Sequence, residues 1–179
     1  MKNVLLLACL ALVACKKDAP AEVKAAEPVK EVAKAPEAAR PAAAAWVNLE
    51  KLGAKIEMPA GSKADDTSAD APNYSVAPQD YAYTVMVSTV TEAYASNWEA
   101  AVEEVKKNTN GFKAFSKNEK TADGWILEFE GESLMDKAPL YGVLLRKKIG
   151  DRSIECARNE PSKDSRDAVA KACASLAKL

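Results

Sequence analysis

The stretch that decides the fold runs from residue 140 to residue 159. Leu140-Tyr141-Gly142-Val143-Leu144-Leu145-Arg146-Lys147-Lys148-Ile149 is followed by Gly150-Asp151, then by Arg152-Ser153-Ile154-Glu155-Cys156-Ala157-Arg158-Asn159. Gly-Asp between two apolar-rich runs is a tight hairpin signal. Tyr141, Val143 and Leu145 share one face by the two-residue period of a strand. If Ile149 pairs with Arg152, Leu145 lies opposite Cys156. Ile154 and Cys156 then share the face of Val143 and Leu145.

The sequence beyond this hairpin has a different period. From about residue 165 to residue 179, Val169, Ala172, Cys173 and Leu176 recur at helical spacing and form one apolar side. Cys173 therefore faces the sheet as Cys156 faces the helix, and the two periodicities together predict a Cys156–Cys173 disulfide. Closing a loop of that size stabilises the fold by roughly 3 kcal/mol.

Before the hairpin, Asp123-Gly124 marks a turn into residues 125–132. There Trp125, Leu127 and Phe129 alternate with Ile126, Glu128 and Glu130. Residues 112–120 read as a weak, polar edge strand. A helix precedes it, with Trp98, Ala101, Val102 and Val105 as its stripe and Ser96 and Glu99 at capping-box spacing. Residues 81–91 read as a strand with Tyr81, Tyr83, Val85 and Val87 on one face. Residues 74–76 and 55–58 are shorter strands, residues 61–72 a polar loop, and residues 46–52 a helical turn.

This order defines an α+β domain over residues 46–179, an antiparallel sheet of about six to seven strands with one mid-domain and one C-terminal helix. It resembles the PsbP-like fold of photosystem accessory proteins and small bacterial lipoproteins. The carrying residues are Gly53-Ala54-Lys55-Ile56-Glu57-Met58-Pro59, Asp123-Gly124-Trp125 and Cys173-Ala174-Ser175-Leu176. The resemblance implies a layered sandwich and a non-enzymatic binding or assembly role. Three layers is that fold's usual arrangement. Glu128, Glu130, Arg146 and Lys148 suggest a partly solvated outer sheet face, which leaves two layers as the alternative.

The N-terminus carries an address. Lys2 precedes an apolar run at residues 4–13, too short for a span of about twenty residues but suited to a signal peptide. The run ends in Leu12-Val13-Ala14-Cys15, which resembles a bacterial lipobox. That resemblance implies a signal peptide at residues 1–14, lipidation of Cys15 and attachment to a membrane. Lys16 in place of Asp leans towards the outer membrane, facing the periplasm. Cys9 leaves with the signal peptide, so Cys156 and Cys173 remain as an even pair in an oxidising compartment. Residues 15–45, rich in Ala, Pro, Lys and Glu, read as a disordered linker with prolines at 20, 28, 36 and 41.

Charge and composition exclude several functions. The chain of 179 residues has 25 basic and 26 acidic groups and no histidine. A dedicated nucleic-acid binder would show a basic excess. Ser-His-Asp and Cys-His sites and His-ligated metals are absent from this chain. Ser175-x-x-Lys178 has Ser-Lys nucleophile spacing but lacks the companion Ser-Asp-Asn and Lys-Thr-Gly elements. Glu128, Glu130 and Glu132 could do acid–base work, yet Arg146 and Lys148 on the same-parity face of the next strand suggest a solvated charge ladder. Asp65, Asp66 and Asp70 lack the calcium-loop pattern. Tyr74, Tyr81, Tyr83 and Trp125 could line a pocket or simply fill the core.

Arg146, Lys147, Lys148 and Arg152 form the densest positive cluster, a candidate patch for an acidic partner or anionic lipid headgroups. The expectation is a lipid-anchored envelope protein with a tethered, non-catalytic binding head, no cofactor and no metal. The alternatives are a carrier of a small apolar ligand and, less favoured, a carboxylate hydrolase.

Overall fold

A computed structural model describes residues 43–179. The expected signal segment at residues 1–14, Cys15 with its expected lipidation, and nearly all of the expected 15–45 linker lie outside the described residues. In chain order the elements are β1 (Ala44–Leu49), a 3-10 turn at Glu50–Leu52, β2 (Ala54–Pro59), β3 (Lys63–Asp66), β4 (Asn73–Ala77) and β5 (Val85–Val90). Then come α1 (Glu92–Ser96), α2 (Trp98–Asn108), β6 (Ala114–Thr121), β7 (Gly124–Glu132), β8 (Pro139–Ile149), β9 (Arg152–Glu160), α3 (Lys163–Ala174) and β10 (Ala177–Lys178).

The domain is α+β, with all strand pairs antiparallel in a seven-stranded sheet, β3-β4-β5-β9-β8-β7-β6, and a three-stranded sheet, β1-β2-β10. The β8–β9 hairpin has the expected register: Ile149 pairs with Arg152 and Leu145 with Cys156. Gly150 takes the turn at φ 63°, a left-handed conformation that glycine adopts without strain. Cys156 and Cys173 form the disulfide, with Cα atoms 5.6 Å apart, and both residues are fully buried.

Two cores lie on opposite faces of the large sheet. One joins Val85, Val87, Ile126, Val143, Leu145, Ile154 and Cys156 to Val169, Cys173 and Leu176 and to Ile56 and Met58 of the small sheet. The other sets Ala101, Val102 and Val105 of α2 against Trp125, Leu127 and Phe129. The large sheet is thus the middle of three layers, with α2 on one side and α3 plus the small sheet on the other. Because β7 is covered on both faces, it buries Trp125, Ile126 and Leu127 in succession.

Several local expectations are corrected. Residues 44–49 are a strand rather than a helical turn, and it begins at Ala44, inside the stretch read as linker. It pairs with β2 and draws that strand out of the large sheet. Lys63–Asp66, read as loop, is the edge strand β3. Tyr81 is not in a strand. A turn from Pro78, closed by Tyr81 N to Pro78 O at 3.0 Å, leaves it at φ 53° and 72 % exposed. The helix after β5 is split. Asn97, not Ser96, caps α2, its side chain accepting from Ala100 N at 2.9 Å. The last helix ends at Ala174, and residues 177–178 pair with β2.

The charge ladder is corrected as well. Glu128 pairs with Val143 and Trp125 with Arg146. Directly paired residues share a face. The glutamates therefore lie on the α3 face and Arg146 and Lys148 on the opposite one.

Candidate functional site

The β6–β7 turn sets one wall of a cleft. Gly124 opens β7 where the backbone of β8 passes so close that an added Cβ would lie 1.9 Å from the Arg146 carbonyl oxygen. No larger residue fits there, and the turn at residues 122–123 is pressed over the end of β8. The floor is the α2-side face of the large sheet, with Trp125, Arg146, Lys148 and Ser153. Glu92, Ser96 and Trp98, from α1 and the start of α2, form the other wall. The cleft encloses about 300 Å³.

Arg146 is the organising group. It is only 2 % exposed, and its Nε donates to Glu155 Oε2 at 2.7 Å and its Nη1 to the Tyr94 carbonyl oxygen at 2.9 Å. Its guanidinium carbon lies 3.6 Å from the Tyr94 ring centroid and 4.9 Å from that of Trp125. A planar, weakly hydrated cation can be held this way where an ammonium would stay in water. Its ring contacts and hydrogen bonds offset part of the desolvation cost.

The other cations are held at the rim. Lys148 Nζ bonds Glu92 at 2.8 Å. The hydrogen bond and the opposite charge lower the Glu92 carboxyl and raise the Lys148 ammonium from their ordinary pKa values. Lys120 Nζ bonds Glu99 at 2.9 Å and lies 4.5 Å from the Trp98 ring centroid. The Lys120 hydrogen bond likewise lowers Glu99. Lys147, between Arg146 and Lys148 on β8, faces the α3 side, donating to the Leu176 carbonyl at 3.1 Å with Asp123 at 3.3 Å. Tyr94 donates its hydroxyl proton to Glu104 at 2.7 Å, which raises the phenol, and partial burial adds to the shift.

The sequence-predicted patch is therefore partly assembled and partly dispersed. Arg146 and Lys148 face the cleft, Arg146 as a buried floor residue rather than an exposed tip charge, while the Lys147 ammonium lies on the other face. Arg152 lies elsewhere, donating to the Lys51 carbonyl. As site residues, Lys120, Trp98 and Ser153 are not marked by the sequence. Residue 120 is on the strand that register brings beside Trp125, and Trp98 was read only as core.

The remaining candidates do not converge. Glu128 and Glu130 are met from α3 by Arg166 at 3.7 Å and Lys163 at 3.4 Å, and Glu132 by Lys113 at 3.5 Å. Ser175 Oγ accepts from Glu57 N at 2.8 Å and donates to the Ala172 carbonyl at 2.6 Å, so its hydroxyl serves packing. Asp66 pairs with Lys51 at 2.5 Å, whose hydrogen bond lowers its carboxyl to about 2. Tyr74 and Trp125 are in different cores, and Tyr81 is exposed. No group of potential metal ligands occurs among the described residues, and none of their helices is long and apolar enough to cross a membrane.

No protein-family model matches the chain, and no curated protein matches it in sequence.

Proposed function

We propose that the protein is a lipid-anchored cell-envelope lipoprotein whose head is a non-catalytic binding module, and that the cleft over Trp125 and Arg146 is its contact surface. The lipobox-like Leu12-Val13-Ala14-Cys15 supports the anchor, and the oxidised Cys156–Cys173 pair suits an exported head. The observation that carries the binding role is the fixation of Arg146. A guanidinium held between two rings by two hydrogen bonds offers a rigid floor, which lowers the ordering cost of binding. The layer order α2, large sheet, α3 with small sheet supports the PsbP-like resemblance.

Two measurements test this. Cys15→Ser is expected to release the protein from the membrane fraction, and retention would remove the lipoprotein assignment. A photocrosslinker at Ala122, exposed on the cleft wall, is expected to trap an envelope component in cells. The same probe at Asp70 serves as the control, and equal capture from both sites would sink the binding surface.

One observation favours the carrier reading. A groove of about 320 Å³ between β2 and α3 is lined by Met58, Pro59, Tyr83 and Ala168. Native mass spectrometry of the exported protein is its test, an adduct of defined mass supporting a carried ligand and a bare chain removing it.

A further inference from the structure

The cleft's floor and rim carry hydrogen-bond donors that are unfilled or held in exchangeable pairs, and this points to its ligand. Resting on the binding-module reading, we infer that the cleft takes an oxyanion, a carboxylate or phosphate, carried on a small group with a flat face that lies against Trp98.

Three observations carry this. Lys120, Arg146 and Lys148 line the cleft, paired with Glu99, Glu155 and Glu92. Glu99 and Glu92 are at the rim, with side chains 69 % and 75 % exposed, so their pairs with Lys120 and Lys148 are solvated and exchangeable. Arg146 commits Nε and Nη1, while Nη2 makes no hydrogen bond among the described residues. Three N–H groups of the guanidinium remain and call for an acceptor.

The third observation is Trp98. Its indole Nε1 is buried and has no hydrogen-bond partner among the described residues. A buried N–H without an acceptor is costly, and groups of this kind are rare unless something completes them. Lys120 lies over the same ring, so a planar group meets an aromatic face beside a cation. The cleft is at the start of α2, where the helix dipole adds positive potential. Its volume, about 300 Å³, is at the small end of ligand pockets and suits a compact molecule rather than a long chain.

The test uses the full chain in detergent, with Trp46→Phe so that the two cleft tryptophans report alone. Fluorescence is titrated with D-glucuronate, D-glucose 6-phosphate and neutral D-glucose up to about 10 mM, and with phosphatidylglycerol vesicles against phosphatidylcholine vesicles. A saturable change with either soluble anion but not with glucose supports the inference, and a response confined to phosphatidylglycerol vesicles supports it with a lipid headgroup as the source. Lys148→Gln, an exposed change that leaves the core untouched, is expected to weaken binding by about tenfold, and Trp98→Leu by more. Silence towards every anion, or an equal response to glucose, overturns it. The Ala122 crosslink separates the two proposals: capture without an anion response rejects the ligand class alone, and loss of both rejects the binding surface too.

Discussion

Arg146 and Glu155 face each other across the β8–β9 ladder, with the guanidinium Nε 2.7 Å from Glu155 Oε2 and the arginine almost wholly buried. Arg146→Ala leaves Glu155 without its counter-charge and opens the space between Tyr94 and Trp125. It is expected to cost about 3 kcal/mol in urea unfolding. Adding Glu155→Gln should return part of that loss. A double variant no more stable than the single one would show that packing against the rings, not the ion pair, dominates.

The disulfide is expected to contribute roughly 3 kcal/mol, because it closes a loop of 17 residues between a strand and the helix covering it. Cys156→Ala with Cys173→Ala should lower the unfolding free energy by that amount, read from urea denaturation. Both sulfurs belong to fully buried residues, so mild reductant should leave the native protein unchanged and act only once it unfolds. Rapid reduction of the native state would contradict the burial.

Helix capping separates two neighbours. Asn97→Ala removes the acceptor for Ala100 N and is expected to cost about 1 kcal/mol, whereas Ser96→Ala should be close to neutral. Thermal or urea unfolding of the two variants reads the difference, and the reverse order would restore the Ser96–Glu99 capping box.

The Lys51–Asp66 pair gives an acid-range signature. Its hydrogen bond, with those from Ser68, lowers Asp66 from the ordinary 3.8 to about 2. A depressed carboxyl stabilises the fold above its unfolded pKa, and that contribution is lost as pH falls towards 2. The Asp66 carboxyl should titrate near 2 by NMR and move back towards 3.8 in Lys51→Met. Lys51 is raised by the same bond, so its share of the stabilisation is lost as pH climbs above 10.5. An Asp66 midpoint unchanged by the substitution would remove the pair.

The β8–β9 hairpin and the disulfide were legible because a two-residue turn pins register, and register then assigns every side chain a face. The same register places Arg146 opposite Glu155, so the ion pair was within reach of the sequence; reading every charge as solvated hid it. The Trp125–Arg146 pairing was not legible. It depends on β7 and β8 being joined through residues 133–138, a connection whose length does not dictate register. β1 and β3 were missed for a different reason. Ala44-Ala45 and Asp65-Asp66 have low strand propensity, and edge positions rather than local preference make them strands. For the site, the cation cluster was visible, but its division between two faces and its partnership with Trp98 required the three-dimensional pairing.

The β1–β2 hairpin has a mechanical consequence. Ala44 pairs with Pro59 at its open end, and just beyond them Ala60 N donates to the Ala43 carbonyl at 2.7 Å. A pull on the chain ahead of residue 43 meets that end first, so the ladder opens bond by bond rather than yielding all at once. The cleft lies on the large sheet, outside this ladder, and the disulfide clamps α3 to β9 independently of β1. Under tension the domain would lengthen by paying out β1 while the cleft kept its shape.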